Sequence, residues 1–195
     1  MSGILVVVPM RVERAALGRR LPGALHVGWG PRRWAAAAAT VRAALDRGDH
    51  CGLLVVGVCG AVTAEPAPGD VVVASELRGP DGTVPCTGTD AMAEALRRAG
   101  RGVHAGPIQT VDHLVGGAER AALAAGGALA VDTESAVLAS AAGGIPVLAV
   151  RAVSDTPNHP LRSVGVVRNG FSALRTLRAA GPALAGWSPI SREVG

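Results

Sequence analysis

An α/β domain with a mostly parallel sheet covered by helices is the fold class that the 195-residue sequence predicts, and two observations carry it. Short β-branched runs alternate with alanine-rich stretches of helical length, the pattern of strands linked by crossover helices. The strand-like runs are continuously apolar rather than alternating, as strands covered on both faces must be. One domain suits the length; residues 1–180 are expected to form it, with 181–195 as a C-terminal tail.

Taken in order, "GILVVVP" (3–9) is the opening strand, and Glu13 falls in the first turn of the helix after it. "RRWAAAAATVRAALDRG" (32–48) reads as a helix, followed by a buried strand at "GLLVVGV" (52–58) that runs into the glycine-spaced turn "VGVCGAV". "DVVVAS" (70–75) is the next strand, and "TDAMAEALRRAG" (89–100) a helix with glycine at its stop position. "ALAV" leads through Asp132 and Glu134 into the helix "ESAVLASAAGG" (134–144), and "IPVLAVRAVSD" (145–155) is the last strong strand. The segments 63–70 and 78–90 carry the proline and glycine of loops. Prolines from Gly181 onward are expected to stop the preceding helix.

Composition excludes several function classes. All 19 basic residues are arginine, but they are scattered, net charge is only +4, and aromatics make up 2% of the chain. A nucleic-acid platform needs a basic stripe interleaved with stacking rings, so none is expected. Cys51, Cys59 and Cys86 lie far apart without a CxxC pair, which argues against a disulfide framework or zinc site and fits a reducing cytoplasm. His104, His113 and His159 show no ligand spacing, so no metal is expected. The apolar run at the N-terminus is shorter than a signal core of at least ~7 residues, and no stretch approaches the ~18 apolar residues of a membrane span. A cytoplasmic protein with no integral membrane segment is the expectation.

In open α/β sheets, ligands gather beyond the carboxyl ends of the strands. Four such places hold polar or glycine-rich features: Glu13; the turn with Cys59 and Gly60; the pair Asp132 and Glu134; and Ser154 with Asp155. Each has an ordinary reading as well. Glu13 can complement a helix dipole, Asp132 can cap the helix after it, and Asp155 can belong to a plain turn. Cys59 lacks any accompanying His or Asn motif and reads as a small apolar residue.

Together, "VVPMRVERAAL", "VGWGPRRWAAAA", "VVGVCGAVTAEPAPGDVVVAS" and "AVDTESAVLASAAGGIPVLAVRAVSDT" resemble the purine nucleoside phosphorylase and methylthioadenosine/S-adenosylhomocysteine nucleosidase superfamily. The resemblance covers most of residues 3–155. "GPIQTVDHLV" and the "LAVDTES…VLAVRAVSD" pairing are most similar to the hopanoid-associated branch, whose members act on adenosylhopane. The implied fold has three layers, with a central mixed, mostly parallel sheet between helices.

The resemblance also implies roles. Breaking a purine N-glycosidic bond passes through an oxocarbenium-like sugar, and the base leaves well only when its nitrogen is protonated. Asp155 would protonate the purine N7, which calls for a carboxyl pKa raised by partial burial. Glu134 would hold the ribose hydroxyls, Glu13 would activate water, and Ser154 and Arg151 would position the Asp155 loop. Leu114, where relatives commonly have an aromatic ring, and the main chain of Val115 would line the base slot. Thr133 replaces a methionine common beside the sugar, and Val58-Cys59-Gly60-Ala61 replaces a turn that usually carries a hydroxyl. The segment between "DVVVAS" and "GPIQT" is short for the nucleosidase branch, which would leave the 5' side of the sugar open.

Arg32 and Arg33, next to Gly28 and Gly30, are candidate phosphate ligands if the reaction is phosphorolysis, or else a solvated helix entrance. Hydrolysis and phosphorolysis both stay open, as does a futalosine-type substrate or a purine-binding protein without catalysis. No cofactor is implied beyond phosphate as a possible co-substrate. A small-molecule nucleoside and further copies of the same chain are the expected partners.

Overall fold

The computed structural model describes residues 3–159 and 166–189. The strand β1 (Gly3–Val8) leads into α1 (Arg11–Leu17), and the two-residue β2 (Leu25–His26) precedes α2 (Trp34–Arg47). Next come β3 (His50–Ala61), β4 (Val71–Gly79), β5 (Gly82–Pro85) and α3 (Thr89–Arg98). The chain continues through β6 (Val103–Thr110), α4 (Gly117–Ala125), β7 (Ala130–Asp132), α5 (Ser135–Ser140), β8 (Val147–Asp155) and α6 (Val166–Ala185).

The strands form one mixed sheet in the order β2-β1-β3-β7-β6-β4-β5, with β8 paired to both β3 and β4. Five pairings are parallel (β1/β2, β1/β3, β3/β8, β4/β6, β6/β7) and three antiparallel (β3/β7, β4/β5, β4/β8). Five strands therefore close on themselves, β3 to β7 to β6 to β4 to β8 and back to β3. Closure removes the exposed edges that these apolar strands would otherwise present.

Helices cover both faces, because successive residues of a strand point to opposite sides. Leu5, Val7, Leu53 and Val55 join one apolar cluster with Ala37 and Val41 of α2 and Leu138 of α5. Val6, Val8, Leu54 and Val56 join the other, with Leu17 of α1, Leu96 of α3 and Leu177 of α6. The α/β class with a mixed sheet flanked by helices is as the sequence predicts.

Local differences have physical reasons. The segment 32–48 begins as a 3-10 turn over Pro31–Arg33 before α2 starts at Trp34, since proline and the preceding Gly30 suit a tight entry. β6 and α4, unmarked by a strong sequence pattern, are held mainly by neighbours: β6 pairs with β4 and β7. The helix expected to stop near Gly181 instead runs through Pro182 to Ala185. An interior proline removes one hydrogen bond, but here Ala180 and Leu184 on either side are buried in the core. Beyond the helix Trp187 packs in the same cluster and donates its indole N–H to Thr87 O at 3.2 Å. The remainder of the expected tail, from 190, lies outside the described residues.

Candidate active site

A cavity of about 230 Å³ opens at the ends of β3, β7 and β8. Glu13, Cys59, Gly60, Leu114, Val115, Thr133, Glu134, Ser154 and Asp155 all line it. Arg32 and Arg33 do not; they lie exposed on the 3-10 turn, and the Arg33 side chain packs over Gly28. The turn directs both guanidinium groups to solvent, and the cavity wall holds Arg120 instead.

Glu13 sits in the first turn of α1 and is 1% exposed. Its Oε2 accepts the N–H of Met10 at 2.7 Å and its Oε1 that of Val58 at 2.8 Å. Burial pushes its carboxyl pKa up to about 7, against the pull of Arg151 and the two amides. A group poised near neutrality is suited to taking a proton.

Glu134 and Asp132 divide the labour of the β7–α5 junction. Asp132 accepts the Ser135 N–H at 3.2 Å and the Thr110 hydroxyl at 2.7 Å, and pairs with Arg151 Nη2 at 2.8 Å. It thus holds the first N–H of α5 from the turn before the helix, whose N-cap residue is Glu134, and is a buried ion-pair partner besides. Glu134 turns into the cavity; its Oε1 accepts the Gly30 N–H at 2.9 Å and the Thr133 hydroxyl. Burial raises its pKa, opposed by Arg151. Trp34 donates its indole N–H to Thr133 O at 2.5 Å, which ties α2 to the same junction.

Arg151 is fully enclosed at 1% exposure. Rather than reaching the Asp155 loop, it donates to Ser135 Oγ at 2.7 and 3.0 Å and pairs with Asp132. Burial alone would lower its pKa, but Asp132, Glu13 and Glu134 outweigh that and raise it. A Cβ on Gly57 would fall 2.0 Å from Arg151 Nη1 and 2.7 Å from Glu13 Oε1. Only glycine leaves room there for the two side chains.

Asp155 owes its position to a bulge. The β3/β8 register pairs Cys59 with Val153 but Gly60 with Asp155, so Ser154 is the extra residue. Such insertions re-aim side chains at functional sites. The Ser154 hydroxyl lies 3.0 Å from Cys59 O and 2.8 Å from Asp155 Oδ1. Asp155 is buried, as its expected role calls for, but it is also paired: Arg120 Nη2 stands 2.6 Å from its Oδ2, and both side chains are buried. Nothing in the sequence marks Arg120. An arginine in "GGAERAALAAGG" reads as solvated, and only the fold brings α4 back over the ends of β3 and β8.

The base-slot residues are split by environment. Val115 is buried and Leu114 is 65% exposed, as is Trp29 at 56%. His113, beside Leu114, bridges Asp112 and Glu119 at 2.7 Å each, and the hydrogen bond to Asp112, then that to Glu119, raises its pKa. Cys59 is buried, and burial pushes its thiol up, far from the thiolate a nucleophile requires. Among the described residues no group of three or more His, Cys, Asp or Glu could hold a metal ion, and no helix is long and apolar enough to cross a membrane.

Comparison with known proteins agrees with this architecture. No curated protein sequence matches the chain. The fold is similar to that of Campylobacter jejuni 5'-methylthioadenosine/S-adenosylhomocysteine nucleosidase, with a TM-score of 0.78 at 17% identity over 96% of this chain and 100% of that one. Futalosine hydrolase of Helicobacter pylori gives 0.76 at 17% identity over 94% and 97%. Streptococcus pneumoniae MTA/SAH nucleosidase, solved with 8-aminoadenine, gives 0.69 at 22% identity over 93% and 99%. At these identities the likeness speaks for the fold. The family profile described as the phosphorylase superfamily matches residues 27–169, taking in every cavity-lining element except α1. The chain belongs to the phosphorylase superfamily.

Proposed function

We propose that this protein cleaves the N-glycosidic bond of a purine nucleoside by hydrolysis, releasing adenine from a substrate with a bulky apolar 5' substituent. The observation that carries the reading is the convergence of three buried carboxylates, Glu13, Glu134 and Asp155, from separate elements on one cavity. Glu13, with its pKa near 7, takes a proton from the attacking water. Glu134, whose Oε1 is held by Gly30 and Thr133, meets the sugar hydroxyls as positive charge builds on the ring. In its protonated form Asp155 supplies the proton that N7 of the leaving base takes as the bond breaks, and the contact with Arg120 holds the carboxylate that remains.

Two features favour hydrolysis and an extended substrate. A phosphorolytic site holds an anion beneath the sugar with arginine or backbone amides, whereas Arg32 and Arg33 lie outside the cavity and Arg120, which lines it, is taken up by Asp155 and two main-chain carbonyls. A cavity of about 230 Å³ falls below the ~300–1,000 Å³ of pockets that enclose drug-sized ligands. It suits a base and a sugar, with a larger 5' group leaving past the exposed Trp29 and Leu114. Those apolar side chains fit an adenosylhopane-type substrate, and a homo-oligomer and a cytoplasmic setting belong to the same reading.

The test is release of free adenine from adenosylhopane or 5'-deoxyadenosine, with and without phosphate. Adenine in phosphate-free buffer is the expected result. Adenine only when phosphate is present means phosphorolysis. Purine binding without base release from any nucleoside overturns catalysis.

A further inference from the structure

Among the described residues Arg120 is the one arginine in the cavity wall, and its guanidinium joins three segments of the site. Nη1 donates to Ala61 O at the end of β3 at 2.9 Å, while Nη2 donates to Val115 O at 3.2 Å and to Asp155 Oδ2 at 2.6 Å. A buried arginine is costly unless its donors are matched; here the matching acceptors are three, the main-chain carbonyls of Ala61 and Val115 and the carboxylate of Asp155. A Cβ at Gly60 would fall 2.9 Å from Asp155 Oδ2 and 3.2 Å from Arg120 Nη2, so the β3 backbone also passes against the pair.

We propose that Arg120 is a positioning residue for base departure, acting through Asp155 and Val115 rather than on the sugar. The inference rests on the N-glycosidase reading above. The terminal torsion of an Asp side chain is broad, so nothing intrinsic holds the Asp155 carboxyl in one plane. With Arg120 on Oδ2 and Ser154 on Oδ1, both oxygens are fixed and the orientation toward N7 is set before substrate arrives. The same guanidinium holds Val115 at the opposite side of the slot. A fork that serves a carboxylate and a carbonyl together is within the reach of arginine, whereas lysine offers a point charge.

The experiment is a double-mutant cycle on Arg120→Gln and Asp155→Asn, with Arg120→Lys as the conservative variant, on the intact chain. Arg120→Gln should lower kcat about 100-fold, the scale of a 1 Å misplacement, with KM changed less than threefold. Arg120→Lys should recover at least tenfold of that loss, and Arg120→Gln/Asp155→Asn should be no slower than Asp155→Asn within threefold. Losses that multiply in the double variant, or an Arg120→Gln effect confined to KM, overturn the proposal.

Arg120→Gln alone leaves a buried carboxylate unpaired and endangers folding; Arg120→Lys keeps a cation beside Asp155, and the same cycle run with Arg120→Lys and Asp155→Asn stays measurable where Arg120→Gln does not fold. Calorimetric binding of free adenine gives the same cycle without turnover. Adenine affinity should fall in each single variant and fall no further in the double. If wild type releases no base while adenine binding shows this coupling, the reaction assignment fails and the positioning role stands. If base is released but the effects on kcat and on adenine affinity are additive, the reaction stands and the role of Arg120 is refuted.

Discussion

Replacing Glu13 with glutamine tests the charge state of the candidate base through stability as well as rate. The Glu13 carboxyl is raised from 4.5 to about 7, chiefly by burial. Between those values the native protein keeps a proton that the unfolded chain has lost, so stability falls as pH climbs through the window. A shift of about 2.5 units at 1.36 kcal/mol per unit makes the ionised Glu13 cost about 3 kcal/mol above pH 8. Glutamine never ionises and escapes that cost. It does lose one of the two amide contacts from Met10 and Val58, an offset of about 1 kcal/mol that does not vary with pH. Stability of Glu13→Gln minus wild type should therefore rise by about 3 kcal/mol from about pH 4 to pH 9, or roughly 6–12 °C in Tm for a domain of this size. Chemical or thermal denaturation at stepped pH measures it. A difference that stays flat within about 0.5 kcal/mol refutes the buried, near-neutral Glu13. The same group sets a rate expectation: if ionised Glu13 activates water, kcat/KM rises with pH through about 7, and the glutamine variant lacks that limb.

Asp155→Asn and Glu134→Gln should each lower kcat at least ~100-fold, the lower range for a positioned proton donor, in an adenine-release assay; near wild-type rates in both would remove the site assignment. Gly57→Ala drives a methyl group to 2.0 Å from Arg151 Nη1 and should destabilise the fold by about 3 kcal/mol, from overpacking and disturbance of buried charge. Equilibrium unfolding reads it, and an unchanged midpoint counts against the network. Thr133→Val keeps side-chain shape but deletes the hydroxyl that Glu134 accepts. A hydrogen bond to a charged group contributes about 1.5–3 kcal/mol, so kcat/KM should fall at least about tenfold, and a rate equal to wild type would show that this contact does not orient Glu134.

The parts legible in the sequence are those fixed by local pattern. The continuous apolar runs of β1, β3 and β8 announce buried strands because both faces of each strand are covered, by α2 and α5 on one side and α1, α3 and α6 on the other. The cavity-lining placement of Glu13, Glu134 and Asp155 follows from their positions at or just beyond strand ends. What the sequence conceals depends on pairs distant along the chain. Arg120 and Asp155 are separated by 35 residues and meet only because β8 enters the ring between β3 and β4. Arg151 shows how proximity in sequence misleads: four residues from Asp155 along an extended strand, it points to a different part of the interior and answers Asp132 and Ser135 instead.

Thr133 joins these two kinds of information. As a departure from the usual methionine it suggests a more polar sugar floor, and the structure gives that polarity a job. Its hydroxyl and the Gly30 amide both fall on Oε1 of Glu134, while its carbonyl accepts from Trp34. Glu134 is thereby held through one oxygen, and in the proposed reaction Oε2, for which no protein partner occurs among the described residues, meets the sugar. In the proposed reaction the glycine loop before α2, a candidate phosphate site by its neighbouring arginines, instead serves the carboxylate assigned to the ribose. That reassignment is the physical reason to favour water over phosphate as the second reactant: the amide of Gly30 is already engaged, and the arginines that follow it face solvent.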